Sequence, residues 1–278
     1  MNFNKFTIME FKPITMVIDA TIVMIAKRGS GKSFAVRDLV YNYRNLPGGV
    51  VIAPTDKMNP FYRYFFPDLF IHYEINPTLL KKILARQTLL IEESKAKKKM
   101  RKRLDPSTLL VMDDCLAAAK QWAKDPSIRE ILMNGRHYKI TYILTMQTPL
   151  GIGPELRLNF DYIFLLKEDV TVNRKKLYEN YAGIFPNLAI FCKVFDKCTN
   201  DHVCMVVDNR TPLSDITKKI FWYKASERKF TFGSKKFKNM HKKYYDPDYM
   251  KKQMLAGLDI GSMLPRRKND IDIGVILR

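Results

Sequence analysis

Ala26-Lys27-Arg28-Gly29-Ser30-Gly31-Lys32-Ser33 follows the apolar run Thr21 to Ile25 and opens a stretch of helical spacing. A continuous apolar run predicts a strand buried on both faces. From Lys32 to Arg44, Phe34, Val36, Leu39, Val40 and Tyr43 repeat at helical intervals, and Pro47-Gly48-Gly49 ends the pattern. A glycine-rich loop between a strand and a helix is a phosphate cradle. Its N–H groups converge, and the helix N-terminus adds partial positive charge. Gly29 and Gly31 admit backbone conformations that a Cβ disfavours. Lys32 is predicted to reach the β- and γ-phosphates of a nucleotide, and the Ser33 hydroxyl to ligate Mg²⁺. The loop begins with Ala26 where the pattern has glycine, a change to the next smallest side chain.

A magnesium nucleotide also needs a carboxylate at the end of a neighbouring strand. Leu109 to Met112 is the next suitable apolar run, and it leads into Asp113-Asp114. Asp113 is the expected metal ligand, through water, and Asp114 the group that polarises the attacking water. A strand over Ile140 to Leu144 ends in Thr145-Met146-Gln147-Thr148-Pro149. Gln147 there is placed to sense the γ-phosphate or orient water. Arg136, in Asn134-Gly135-Arg136-His137, precedes the same strand at its opposite edge. It faces away from its own phosphate loop, so it reads either as a surface arginine or as a group that reaches a neighbour's site.

The rest of the chain alternates strand-like and helix-like segments, which predicts an α/β fold with a mostly parallel sheet flanked by helices. Val50 to Ala53 and Tyr162 to Leu166 are further strands. Ile128 to His137 and Val170 to Tyr181 are helical. Leu79 to about Lys99 is a helix that becomes highly charged and leads into a basic insertion over about 92–105. Phe191 to Asp196 and His202 to Asp208 read as a C-terminal β-hairpin turning at Thr199-Asn200-Asp201. Phe221-Trp222-Tyr223 is a short strand. The expected organisation is one domain over 1–225, with an N-terminal strand lead-in, and a loosely packed basic tail over 226–278.

The chain has 278 residues and a formal net charge of +20, from 48 Lys+Arg against 28 Asp+Glu. Such an excess points to a polyanionic partner, nucleic acid or an anionic membrane surface. No run is apolar and long enough for a transmembrane helix, and Met1 to Lys5 does not open a signal peptide. The four cysteines contain no Cys-x-x-Cys pair, which fits reduced thiols in an intracellular protein. Cys192, Cys198, His202 and Cys204 do not match close-paired zinc spacing, and read as buried hairpin residues.

Taken in order, Ala26 to Ser33, Asp113-Asp114, Gly135-Arg136 and Thr145 to Pro149 resemble the FtsK–HerA superfamily of hexameric DNA-pumping ATPases. Within it the chain is similar to the genome-packaging ATPases of nucleocytoplasmic large DNA viruses. Asp196-Lys197-Cys198-Thr199, Val206-Val207-Asp208 and Phe221 to Ala225 add to the likeness, which spans about residues 15–230. The resemblance implies a RecA-like, additional-strand P-loop NTPase. It implies ATP and Mg²⁺ as cofactors, double-stranded DNA as substrate, and a homo-oligomeric ring that pumps the genome into a capsid. A capsid or inner-membrane viral protein is the implied partner, and the host-cell cytoplasm, at the viral assembly site and with association to the virion, the implied location. Arg136 becomes a trans-acting finger, with Arg157 in Pro154 to Asn159 as a second choice, and Gln147 becomes the sensor. Many members carry Glu where this chain has Asp114, which is one methylene shorter. A non-enzymatic DNA- or membrane-binding protein with a vestigial loop would not need to keep Lys32, Ser33, Asp113 and Gln147 together, and two enzymatic readings use the same loop. A small-molecule kinase explains Lys32 and Asp113 but not the charge or Gln147, and a DNA helicase would separate strands rather than move along intact duplex.

Overall fold

The computed structural model describes residues 7–115, 124–211 and 215–249. Nine strands form one sheet in the order β1-β9-β8-β7-β2-β6-β5-β3-β4. They are β1 (Met9–Glu10), β2 (Thr21–Ile25), β3 (Gly48–Ile52), β4 (Ile71–His72), β5 (Thr108–Met112), β6 (Ile140–Met146), β7 (Tyr162–Leu165), β8 (Val203–Asp208) and β9 (Ile220–Lys224). Pairings from β7 through β4 are all parallel, as is β1 with β9. Only β8 runs antiparallel to its neighbours. β6 lies between the phosphate-loop strand β2 and the acid-bearing strand β5, so the expected additional-strand α/β sheet is present.

Buried residues of the strands alternate between two cores, as the pleat requires. In β2, Ile22 and Met24 face one side while Val23 and Ile25 face the other. The first side is covered by α1 (Lys32–Asn42) through Ala35, Val36, Leu39 and Val40. The second is covered by α2 (Pro77–Lys99), α3 (Pro126–Asn134), α4 (Pro154–Arg157), α5 (Thr171–Tyr181) and α6 (Leu188–Cys198), through residues such as Leu80, Ile131, Leu156, Leu177 and Phe195. Among the described residues no helix is long and apolar enough to cross a membrane.

Two expectations are corrected. Residues 191–196 are not a hairpin strand but the body of α6. Phe191, Val194, Phe195 and Cys198 fall at i, i+3, i+4 and i+7, which puts them on one helical face, and all four are buried. The hairpin forms one step later, between β8 and β9. Cys192 and Cys198 therefore lie on α6, Cys204 on β8 and His202 in the connecting turn, and the described residues contain no cluster of His, Cys, Asp and Glu placed to hold a metal ion.

The second correction concerns the tail. Packing continues past residue 225 into α7 (Lys235–Tyr244). Phe232 is fully buried and stacks on Phe66 at 4.6 Å, and Phe237 stacks on Phe70 at 3.9 Å. The connection is tied to α1 by Asp38, whose carboxylate accepts from Tyr223 Oη at 2.7 Å, from Ser226 N at 2.8 Å and from Arg228 Nε at 3.0 Å. The remainder of the expected tail, 250–278, lies outside the described residues.

Candidate active site

The C-terminal ends of β2, β5 and β6 lie side by side because the three strands are parallel and in register. Each ends in one of the segments singled out above. β2 enters Ala26 to Gly31, pinned at its start by Ala26 N–H donating to the Met146 carbonyl at 2.9 Å. Gly31 caps α1 in the left-handed region at φ 90°, with no side chain bonded to the helix start. Gly29 is also left-handed, at φ 78°. These two positive-φ positions form the sharp turn into α1, whose first N–H groups a helix start leaves without helical partners. Ser30 Oγ closes the turn by donating to the Lys27 carbonyl at 2.7 Å. At the loop's outer side Lys27 pairs with Asp169, whose carboxyl the Lys27 contact holds below the usual carboxylate range.

Lys32 and Asp113 are both buried, at 7% and 5% exposure, and charged groups at such depth occur paired. The Lys32 ammonium is bonded to Asp114 and lies 3.6 Å from Asp113 Oδ1. Asp113 is anchored at both ends: its N–H donates to the Ile52 carbonyl at 2.9 Å, and its Oδ1 accepts from Thr145 Oγ1 at 2.5 Å. The same Thr145 oxygen accepts from Asp114 N–H at 3.1 Å. Asp114 adopts φ 51°, turning the chain sharply where β5 ends. Thr145, on β6, thus clamps both acids from the strand inserted beside them. Burial, and then the Asp113 charge, push the Tyr62 hydroxyl well above the ordinary tyrosine range. Burial with both aspartates beside it likewise raises the Cys115 thiol, so that it stays protonated and is no nucleophile.

Lys32, Asp113 and Asp114 thus lie together, and Ser33 follows Lys32 in the first turn of α1. Gln147 follows directly on β6 at the same edge and is exposed. Arg136 does not join them. It precedes β6 at the opposite edge, 63% exposed, and pairs with Asp161 Oδ1 at 2.7 Å. The other Asp161 oxygen accepts from Thr21 N–H at 2.9 Å, so the arginine is moored to the first residue of the phosphate-loop strand. A cleft of about 290 Å³ lies there, lined in part by Arg136, His137, Asp161 and Asn209. Arg157, the second choice for a finger, is engaged within its own chain: Nε donates to the Ile152 carbonyl at 2.9 Å and the guanidinium also holds Asn180.

Two neighbours of the site carry no role in the sequence reading, and His202, expected to be buried, is exposed in its turn. Thr145 was visible only as a polar residue closing an apolar run. His202 sits beside the loop, with its Nδ1 3.2 Å from where a Cβ on Gly31 would stand. It is 171 positions away in sequence and is brought in because β8 runs antiparallel, which returns its N-terminus to the phosphate-loop edge. No local pattern signals that contact.

The donor set suits a magnesium nucleotide. Two carboxylates and a hydroxyl are hard oxygen ligands of the kind Mg²⁺ takes, while the ammonium and the helix-start N–H groups match phosphate oxygens. The family described as the poxvirus A32 protein matches residues 15–209. The chain is 60% identical to protein L437 of Acanthamoeba polyphaga mimivirus, over 100% of this chain and 98% of that one. It is 34% identical to protein 088R of Invertebrate iridescent virus 3, over 73% of this chain and 75% of that one. Among solved structures it resembles the genome packaging NTPase B204 from Sulfolobus turreted icosahedral virus 2 in complex with AMPPCP. The TM-score is 0.51 at 16% identity, covering 76% of this chain and 100% of that one. EssC (ATPases 2 and 3) from Geobacillus thermodenitrificans gives a TM-score of 0.51 at 11% identity, over 82% of this chain and 46% of that one. At these identities the structural likeness is one of fold, that of P-loop ATPases. The family match spans the loop, both acids, Arg136 and Gln147, and this chain belongs to the poxvirus A32 protein family.

Proposed function

We propose that this chain is a genome-packaging ATPase of a large DNA virus, which couples ATP hydrolysis to movement of double-stranded DNA into the capsid. The observation that carries the reading is the bonded set of buried Lys32, Asp113 and Thr145 with half-buried Asp114 at the mouth of the phosphate loop. The family and the printed description of B204 as a genome packaging NTPase support the packaging role. The +20 charge supports a polyanionic substrate.

The loop from Ala26 to Ser33 would hold the phosphates of ATP, with Lys32 exchanging Asp114 for the β- and γ-oxygens. Ser33 and Asp113 would hold Mg²⁺, which when bound neutralises charge on the transferring phosphoryl group. Asp114, freed from Lys32, then accepts the proton of the attacking water, and Thr145 keeps its backbone in place. Gln147, exposed beside it, orients that water and reports phosphate loss. Arg136 lies too far across the sheet to serve its own site. It reaches a neighbouring subunit's nucleotide in a homo-oligomeric ring, so that hydrolysis depends on assembly. Capsid or inner-membrane viral proteins at the cytoplasmic assembly site are the partners of such a ring.

Lys32→Ala and Asp113→Asn test the site. Each is expected to lower ATP turnover by about 10²- to 10³-fold, the scale for loss of one preorganised charge-stabilising group. Undiminished turnover in either variant would remove the assignment.

A further inference from the structure

Two basic segments far apart in sequence lie near one another in the fold. The first is the end of α2 and the turn after it, with Lys95, Lys97, Lys98, Lys99, Arg101, Lys102 and Arg103. The second is α7, with Lys235, Lys236, Lys238, Lys242 and Lys243. Neither segment contains an acidic residue. They meet at the start of β3 and β5: Thr108, which follows the first segment, pairs with Gly48, and Phe237 of α7 packs over Gly48.

Both segments are fixed rather than loose. After α2, Lys102 N–H returns to the Lys97 carbonyl at 2.9 Å, Ser94 Oγ holds the Leu104 carbonyl at 2.7 Å, and Arg101 turns the chain at φ 57°. α7 is capped by Ser234 and anchored by Phe237, which leaves its lysines on the outer side. An open groove of about 460 Å³ runs along it, lined by Lys235, Lys236 and Lys243 with Met240 and Tyr244. Seven cations belong to one segment and five to the other, and of these only Lys97 makes an ion pair among the described residues. A helix C-terminus favours a few cations, but at most about 1 kcal/mol each and only within its last turn. Cations in such excess over carboxylates repel one another in the free chain. A polyanion would remove that repulsion.

The position of this surface is equally specific. α2 ends where the chain enters β5, and Phe237 packs over Gly48, the first residue of β3. Both points lie at the N-terminal edge of the parallel strands, opposite the phosphate loop. We infer that the end of α2 and α7 form one continuous basic surface that takes the phosphate backbone of a DNA duplex, at the edge of the sheet remote from the nucleotide. Exposed lysines and arginines without a fixed acceptor pattern contact phosphates and carry no base specificity. The surface adds a location to the proposed reading of the chain as a DNA motor, and rests on that reading for its partner.

The test is the salt dependence of binding to a fluorescent 30-base-pair duplex without ATP, using the full chain. One variant carries Lys98→Gln, Lys99→Gln and Lys102→Gln, and a second carries Lys236→Gln, Lys242→Gln and Lys243→Gln. Each is expected to lower the slope of log affinity against log salt by about 2 to 3, since each lost phosphate contact removes about 0.9. The number of duplexes bound per subunit is expected to stay constant, because one duplex spans both segments. Unstimulated ATP turnover and thermal unfolding check that the variants fold, and Lys32→Ala should leave the slope unchanged. Unaltered slopes in both variants, while the native chain binds duplex, would overturn the surface and leave the motor reading standing. So would a loss confined to anionic phosphatidylserine vesicles, or a halved stoichiometry with an unaltered residual slope. A native chain that binds no duplex DNA would overturn the surface and the motor reading together.

Discussion

Gly31 carries two constraints at once. Its φ of 90° is a conformation that L side chains rarely adopt, and a Cβ there would meet His202 Nδ1 at 3.2 Å. Gly31→Ala is therefore expected to cost about 1–2 kcal/mol in backbone strain and to weaken binding of a fluorescent ATP analogue at least tenfold. Unchanged nucleotide affinity would show that the loop tolerates another shape. Thr145 gives a second expectation. Its hydroxyl both donates to Asp113 and accepts from Asp114 N–H. Thr145→Val keeps the volume but leaves those groups unpaired, at about 1–3 kcal/mol. ATP turnover is expected to fall about 10- to 100-fold, by the same energy, with nucleotide affinity nearly kept. The contrast with Lys32 is also one of legibility. Lys32 and Asp113 were readable because each belongs to a segment that leaves the C-terminal end of an apolar strand run. Thr145 and His202 owe their places to strand order and direction, which no local pattern encodes.

At the scale of elements, the same division holds. Strands β2, β3, β5, β6 and β7 were legible as apolar runs because a parallel sheet buries both faces. α6 was misread as a strand because Phe191 to Asp196 is short, apolar and followed by turn residues. The i, i+3, i+4, i+7 spacing extending to Cys198 was the signal that decided otherwise. The segment after residue 225 was misread for a different reason. Its charge resembles that of a solvated tail, yet two phenylalanines and one buried acid suffice to dock it. Phe237→Ala is expected to destabilise the chain by about 3 kcal/mol in denaturant unfolding, and truncation after Ala225 by more, since it removes Phe232 as well. Asp38→Ala would leave the Tyr223 hydroxyl and Ser226 N–H without their acceptor, and is expected to cost about 2 kcal/mol. The Arg228 contact adds little there because its side chain is 43% exposed. Stability equal to the native chain after truncation at Ala225 would show that α7 packs without consequence.

For the whole molecule, the candidate groups lie at two opposite edges of one sheet. The phosphate loop, both acids and Gln147 occupy the C-terminal edge. Arg136 and the basic surface occupy the other, with Asp161 joining Arg136 to Thr21 at the foot of the loop's own strand. If Arg136 completes a neighbour's site, Arg136→Ala and Lys32→Ala subunits should each be inactive alone. Mixed, they should recover about a quarter or less of native turnover, because only interfaces pairing an intact Lys32 with an intact Arg136 work. No recovery, with mixed assembly verified, would return Arg136 to a surface role. The central claim, that ATP hydrolysis at Lys32 is harnessed to duplex DNA, is tested most directly by ATP turnover of the native chain with and without double-stranded DNA. A rise of about tenfold or more with duplex, abolished in Lys32→Ala, is the expected result. Turnover indifferent to DNA at any salt concentration would contradict it.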